Sequence, residues 1–413
     1  MPNLSKYIAK IRAWMQEKIT VQTFRTKETY FTRGTATLTF EKLISFILGN
    51  NRNSAQVALN DFFRDSEDEP VTKQTLFEAR DKISYKAFSS LHENLVNDFY
   101  RDEEIKTYKS YVLLGVDGSL FQAPQGAIDV FGGHKASKCD SISAQARALC
   151  FNDVLNRITV AAKLKPKADG ERKIFLEMLE ESQFPGNSLM IFDRGFYSKE
   201  LAKAMNKKGV KFLFRLKMNC LKNICAADKT DQVITVGNDL KLRIINVILP
   251  TGEIEKLATN IFDDDFSIAD FAVIYDKRWG VETSYLMVKE RLAIENFTSA
   301  KENLMLQDFY AAVITYNLME IACMEQEVRR KAEGADVGRR HQRSANRNIT
   351  AHEVRVCLLE VLLETDPVAI DKKMTRIQST IYRFFKDDKP NRSNPHKTKL
   401  PHKKYPMNKK RNL

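Results

Sequence analysis

Between residues 111 and 216, apolar residues come in short runs that alternate with turn residues and two amphipathic segments. The runs have the length and the aliphatic or aromatic content of strands, and the amphipathic segments have helical spacing. The predicted order is strand, strand, strand, helix, strand, helix, strand: Tyr111–Phe121, Ala144–Asp153, Arg157–Lys165, Asp169–Glu181, Ser188–Phe192, Ser198–Lys208 and Val210–Leu216. This order predicts an α/β core with a mixed sheet.

The segment after this core has a different pattern. Turn signals at Gly237-Asn238 and Thr251-Gly252 separate short apolar runs, so we interpret residues 217–265 as a β-rich insertion that interrupts the core. The predicted strands are Val233–Val236, Lys241–Leu249 and Glu253–Asn260. Helical spacing returns at Ser267 and extends beyond Leu292, and Gln307–Arg330 predicts another long helix.

The N-terminal region also has helical spacing. Its fourth predicted helix begins at Thr72, runs through Ile83 and includes Arg80 among several polar and basic residues. A DNA-binding helix-turn-helix module and an ordinary helical subdomain both fit this pattern. We therefore predict six segments: 1–105, helical and DNA-binding; 106–216, first part of the core; 217–265, insertion; 266–330, second part of the core; 331–385, helical; and 386–413, a basic tail that is disordered when free.

Composition points to a polyanionic partner. The 413 residues carry a formal net charge of +13, which favours nucleic acid first and an anionic membrane surface second, although a basic enzyme with another substrate fits equally. The longest apolar-rich stretch, Phe309–Met324, contains Asn317 and Glu320 and is too short and polar for a membrane span. Six scattered cysteines, without zinc-ligand spacing, indicate a reduced compartment, so we expect a soluble cytoplasmic protein.

Asp117 is an acidic residue inside the first predicted strand, YVLLGVDGSLF. A carboxylate among apolar residues is unfavourable unless something compensates its charge, and a metal ion can do so. The alternative is a strand-end acid that caps a turn with Gly118 and Ser119.

Asp193 and Arg194 follow the short apolar strand SLMIF. The carboxyl ends of strands in α/β sheets are where sites assemble, so Asp193 and Asp117 would share one end of the sheet if their strands are neighbours. The alternative is that Asp193 caps the helix that begins near Ser198.

Four polar residues further along share one face of a predicted helix. Tyr275, Arg278, Glu282 and Lys289 fall within an arc of roughly 60° at helical periodicity. A solvated face with local ion pairs would explain the charges, but such a face does not need Trp279, which lies within the same segment.

Together these segments resemble IS4-family DDE transposases. Tyr275, Arg278, Glu282 and Lys289 match the YREK motif of that family, and the segments GVDGS and DRGFY resemble its two acidic regions. All three occur in the family's order, and the resemblance covers residues 111–325.

The resemblance implies an RNase H-like core whose catalytic triad is Asp117, Asp193 and Glu282. Three carboxylates suit Mg²⁺, with Mn²⁺ able to substitute, and cleavage of a phosphodiester needs two divalent ions about 3.5–4 Å apart. Arg278 and Lys289 would bind phosphates, and the remaining predicted DNA-contacting residues are Tyr275, Trp279 and Arg194. For Trp279, packing into the core is the favoured alternative to stacking on a base.

The implied partners are double-stranded DNA, as terminal inverted repeats and target, and a second copy of the chain on that DNA. A nuclease without strand transfer and a non-catalytic DNA-binding protein are the alternatives, and the full set of acidic residues argues against the second. The apolar face of Gln307–Arg330 could form the dimer contact. We favour burial of this face against the catalytic core, because amphipathic helices usually pack within their own chain.

Overall fold

The computed structural model describes residues 2–32, 36–49, 54–64, 68–135, 142–217, 226–249, 252–278, 289 and 292–387. The chain forms two compact units. Residues 1–95 and 288–413 form one, here called the helical unit, and residues 96–287 form the other, the sheet unit.

Most helices predicted from periodicity form, although the ones that begin at Thr72 and Ser267 are shorter than predicted. The described helices are α1 (Leu4–Gln16), α2 (Lys18–Phe24), α3 (Phe40–Gly49), α4 (Ala55–Phe62), α5 (Lys73–Arg80), α6 (Lys86–Asp102), α7 (Ile128–Phe131), α8 (Glu171–Glu181), α9 (Lys199–Lys207), α10 (Ile268–Asp276), α11 (Glu302–Ala332), α12 (Arg347–Glu360) and α13 (Pro367–Arg383). Of these, α2, α6, α7 and α13 were not predicted individually.

The sheet unit contains nine described strands. They are β1 (Val112–Gln122), β2 (Gly133–Lys135), β3 (Ile142–Asp153), β4 (Ile158–Pro166), β5 (Ser188–Phe192), β6 (Lys211–Arg215), β7 (Asp231–Val236), β8 (Leu240–Ile248) and β9 (Ile254–Thr259). In the helical unit, β10 (Arg343–Ala345) pairs with β11 (Phe385–Asp387).

The centre of the sheet has the strand order β4-β3-β1-β5-β6. The β4–β3 and β3–β1 pairs are antiparallel, whereas β1, β5 and β6 are parallel. This is the arrangement of the RNase H fold, so the predicted α/β fold with an RNase H-like mixed sheet is confirmed.

Both faces of the central strands are covered, which explains their nearly continuous apolar sequences. On one face, Leu189 and Ile191 of β5 belong to the same buried cluster as Phe271 of α10. On the other face, Phe175 of α8 packs edge-on against Phe192 of β5, with ring centroids 5.1 Å apart.

The strands predicted after residue 217 form, and they extend the sheet beyond β6. β9 pairs antiparallel with β6, and β8 and β7 follow at the edge. The six segment boundaries given above remain predictions.

In the helical unit, α11 is buried on every face. Nearly all side chains from Leu304 to Met324 are buried, and the helix packs against α3, α12 and α13. The apolar face therefore packs within its own chain, as favoured above, but it packs against helices of the helical unit and not against the catalytic core as expected. None of the helices in the described ranges combines the length and the apolar character that crossing a membrane requires.

Arg80 at the end of α5 is a structural residue. Its side chain is 1% exposed, forms an ion pair with Asp308 at 3.0 Å, and donates to Gln307 Oε1 at 3.0 Å. Arg80 is therefore not a DNA contact, because its guanidinium is already bound inside the unit. The two alternatives for this region, a helix-turn-helix module and an ordinary helical subdomain, remain predictions. The helix also ends at Arg80 rather than continuing through Ile83.

Candidate active site

Asp117 lies in β1, and Asp193 directly follows the end of the adjacent parallel strand β5. In the β1–β5 register, Val116 is opposite Phe192, so the next residue on each chain is an aspartate. Neither alternative role agrees with the structure. β1 continues past Asp117 to Gln122, so no turn begins there, and the N-cap of α9 is Ser198, whose hydroxyl accepts from Leu201 N at 3.2 Å.

The Asp117 carboxyl has a strongly perturbed environment. Burial raises its pKa to about 6, and the negative charges of Glu171 and Asp193 act in the same direction. The Gly118 N–H, which donates to Asp117 Oδ1 at 2.9 Å, and the charge of Arg278 oppose the shift. A cation beside this group would stabilise its ionised form.

Tyr275 connects α10 to the second aspartate. Its buried hydroxyl donates to Asp193 Oδ1 at 3.2 Å. Burial, followed by the charge of Asp193, raises the pKa of Tyr275 to about 12, so the phenol keeps its proton. Two guanidinium groups, of Arg215 and Arg278, lie 5.7 and 5.8 Å from the centre of its ring.

The helix carrying Tyr275 is shorter than the sequence pattern predicts. α10 ends at Asp276, and Lys277 and Arg278 form a turn in which Arg278 N donates to Tyr275 O at 3.0 Å, three residues back rather than four. Such three-residue bonds are common where α-helices end, and Leu292, near the end of the predicted helix, is not helical. The prediction of one helix beyond Leu292 is therefore wrong, although Tyr275 and Arg278 remain neighbours.

Of the other predicted site residues, the structure describes two, Arg194 and Lys289. Arg194 is exposed beside Asp193. Lys289 is a partly buried residue of the helical unit. Trp279 and Glu282 lie outside the described residues.

Arg215 and Glu255 belong to this site and were not identified from the sequence. Arg215, the last residue of β6, forms an ion pair with Glu255 of β9 at 2.7 Å. Burial raises the pKa of Glu255, while the charges of Arg215 and Arg194 lower it. Arg215 could have been found from its position at the carboxyl end of a strand next to β5, but Glu255 depends on the pairing of β9 with β6.

Within the described residues, Asp117 and Asp193 are two neighbouring carboxylates that could hold a metal ion. No group of three or more His, Cys, Asp or Glu suited to metal binding occurs within the described ranges, and the expected third acid, Glu282, lies outside them. The donors present nevertheless fit a hard divalent cation, because both are carboxylates and Asp117 carries an unfavourable charge that a cation would offset.

Comparisons with known proteins give one family and two similar proteins. The family described as "Transposase DDE domain" matches residues 108–318, half of the chain. A protein of Synechocystis sp. (strain ATCC 27184 / PCC 6803 / Kazusa), named "Putative transposase for insertion sequence element IS4SA", is 26% identical over 157 residues. That match covers 37% of this chain and 45% of the relative, so the chain spans about half the length of the curated relative that it matches.

Among solved structures, the cryo-EM structure of the piggyBac transposase synaptic complex with hairpin DNA is similar over 95% of this chain and 86% of that chain. Its TM-score is 0.44 and its sequence identity 13%. The family match covers the strands that carry Asp117 and Asp193 and the helix that carries Tyr275. The chain thus belongs to the family of proteins with a transposase DDE domain.

Proposed function

We propose that the protein is a DNA transposase that cleaves the ends of an insertion sequence and joins the resulting 3′-hydroxyl ends to target DNA. The β1–β5 register carries this proposal, because it makes Asp117 and Asp193 neighbours across two parallel strands. Membership of the DDE family supports it.

In this proposal Asp117, Asp193 and Glu282 hold Mg²⁺, for which Mn²⁺ can substitute. When bound, a pair of divalent ions activates the attacking oxygen and stabilises the leaving oxygen of the phosphodiester. Tyr275 keeps the Asp193 carboxylate oriented through its hydrogen bond. Because its phenol stays protonated, it remains a donor across the physiological pH range.

The proposed DNA partners are the terminal inverted repeats and the target duplex. Arg194 would bind phosphates in forked geometry and Lys289 as a point charge. Arg278 was predicted to do the same, but its side chain is buried against the ring of Tyr275, so in the DNA-free protein its charge acts on Asp117 instead. Trp279 would stack on a base or pack within the core, and packing remains the favoured role.

The triad is tested by changing Asp117, Asp193 and Glu282 singly to Ala. Each variant should lose cleavage of an element end while still binding DNA, because phosphate contacts come mainly from Lys and Arg. The loss of cleavage activity should exceed the roughly 10–100-fold loss that follows removal of a residue that orients a metal ligand without binding the metal itself. Lys173→Ala, an exposed change on α8, is the control. If a folded variant cleaves DNA at the wild-type rate, the substituted residue is not a member of the catalytic triad.

The reaction is tested on a supercoiled donor plasmid that carries element ends. Excision with insertion into a target supports the proposal, whereas cutting without insertion identifies a nuclease and binding without cutting identifies a DNA-binding protein. Activity should require Mg²⁺ or Mn²⁺, so full activity in excess EDTA would contradict the metal assignment.

We also propose that two copies act together on DNA, each binding one element end. Repulsion between strongly basic chains should keep the DNA-free protein monomeric, and end DNA should bring two chains together. Light scattering with and without end DNA measures this change. Strand transfer by complexes that contain one chain would show that paired copies are not needed.

A further inference from the structure

The first turn of α8 contacts both segments that carry the aspartates. Arg172 donates from Nε and Nη2 to the carbonyl oxygen of Gly195, at 3.2 and 2.8 Å. Gly195 lies two residues after Asp193, in the turn where Phe196 N donates to Asp193 O at 3.1 Å. The forked guanidinium therefore holds the short turn that directly follows the second aspartate.

The neighbouring residue, Glu171, packs against the segment of the first aspartate. A Cβ atom on Gly118 would lie 2.6 Å from Glu171 Oε1, so the carboxyl group fits against the bare backbone next to Asp117. Arg147 of β3 donates from Nη1 to the same oxygen at 2.5 Å. Glu171 is thus fixed from β3 and packed against β1, and its side chain is only 31% exposed.

The geometry points to Glu171 and Arg172 as positioning residues that set the separation of the Asp117 and Asp193 carboxylates and so the affinity of the pair for a divalent cation. This inference rests on the proposed function, which assigns those carboxylates to the metal.

Its physical basis is that two like charges on adjacent strands repel each other. Asp117 is held by the strand pairing of β1, but Asp193 lies just beyond the end of β5, where the sheet no longer restrains it. Contacts from two consecutive residues of one helix keep the two backbone segments at a fixed distance. Residues that orient metal ligands typically change metal affinity by about 10–100-fold when they are removed.

The test measures Mn²⁺ binding to the full-length protein by electron paramagnetic resonance, with DNA cleavage as a second readout. Arg172→Ala and Glu171→Ala should each weaken Mn²⁺ affinity by about 10-fold. The Mn²⁺ affinity of Arg172→Lys should lie between those of Arg172→Ala and the native protein, because an ammonium group replaces a forked pair of donors. Lys173→Ala, one residue further along α8, should bind Mn²⁺ as the native protein does. Affinities are compared well below the Tm of each variant, so that unfolding does not imitate the effect.

Glu171→Gln separates positioning from direct ligation. Glutamine keeps the length of the side chain and an acceptor for Arg147, so a positioning role predicts near-native Mn²⁺ affinity. A loss as large as that of Glu171→Ala would make Glu171 a metal ligand and overturn its positioning role.

Asp117→Ala and Asp193→Ala provide the reference for the proposed metal site. If both lose Mn²⁺ binding while Arg172→Ala and Glu171→Ala retain native affinity, the positioning inference is wrong and the metal site stands. If the two aspartate variants also bind Mn²⁺ normally, the metal assignment itself fails.

Discussion

At the scale of single residues, the buried carboxylate of Asp117 lowers the stability of the folded protein and favours the binding of a cation. Its folded-state pKa of about 6 lies above the ordinary value of 3.8, so the native protein binds this proton more tightly than the unfolded chain does. The unfavourable contribution of the carboxylate is therefore complete above about pH 6 and disappears as the pH falls through 4. Perturbation of this kind is typical of functional carboxylates.

Asp117→Asn should therefore raise the Tm of the metal-free protein at pH 8. The expected rise is about 2–4 °C for each kcal/mol that removal of the charge adds to the free energy of unfolding. The gain should shrink between pH 6 and 4, where the native carboxyl becomes protonated. Added Mg²⁺ should raise the Tm of the native protein and not of the variant, because it binds only the folded native site. Calorimetry in EDTA and then in Mg²⁺ measures both effects.

Asp129→Asn, a change of an exposed residue on α7, is the control and should leave the Tm and its pH dependence unchanged. A lower Tm for Asp117→Asn at pH 8 would show that the carboxylate has a compensating partner within the protein.

At the scale of elements, polar side chains fix how helices and strands meet. Arg80 at the end of α5 binds Asp308 and Gln307 of α11, and its Nη2 donates to Leu304 O at 3.0 Å. Thr298, just before α11, completes the network by accepting from Arg80 and donating to Asp308. A fully buried charge of this kind requires all of its partners.

Arg80→Ala should lower the free energy of unfolding by about 3–5 kcal/mol, because it leaves Asp308 buried without its cation. Urea unfolding followed by circular dichroism measures the change. The matched control is Arg64→Ala, which removes the exposed Arg64–Asp61 pair and should cost less than about 1 kcal/mol. If both substitutions lower the free energy of unfolding equally, the buried network of Arg80 contributes no more to stability than an exposed ion pair does.

At the scale of the whole molecule, the net charge of +13 governs the proposed binding to DNA. A protein that neutralises phosphates releases counterions, so the logarithm of affinity should fall linearly with the logarithm of salt concentration. The slope is about −0.9 for each phosphate neutralised on duplex DNA. Fluorescence anisotropy between 50 and 300 mM salt, on element-end DNA, measures it. An affinity that does not change with salt would exclude a phosphate-dominated interface.

The sequence by itself determined the elements and the identity of the two aspartates. Strand and helix periodicity follows directly from which side chains must be buried, so the order of the longer elements from residue 111 to 216 was predictable. The short α7 and β2 were not predicted, because three or four residues are too few to show a period. Asp117 and Asp193 stand out because each is an acid within or next to an apolar strand. The sequence pattern failed at the end of α10, where helical spacing continues along the sequence but Lys277 and Arg278 form a turn.

The tertiary structure alone decided which residues surround the aspartates. The β1–β5 register makes Asp117 and Asp193 neighbours, although 75 residues separate them along the chain. Arg215 meets Glu255 only because β9 pairs with β6, and Arg172 reaches Gly195 only because α8 packs against the sheet. Such contacts join segments that are distant in sequence. The periodicity of apolar residues shows which side of a helix or strand is buried, but it does not show which other helix or strand packs against that side.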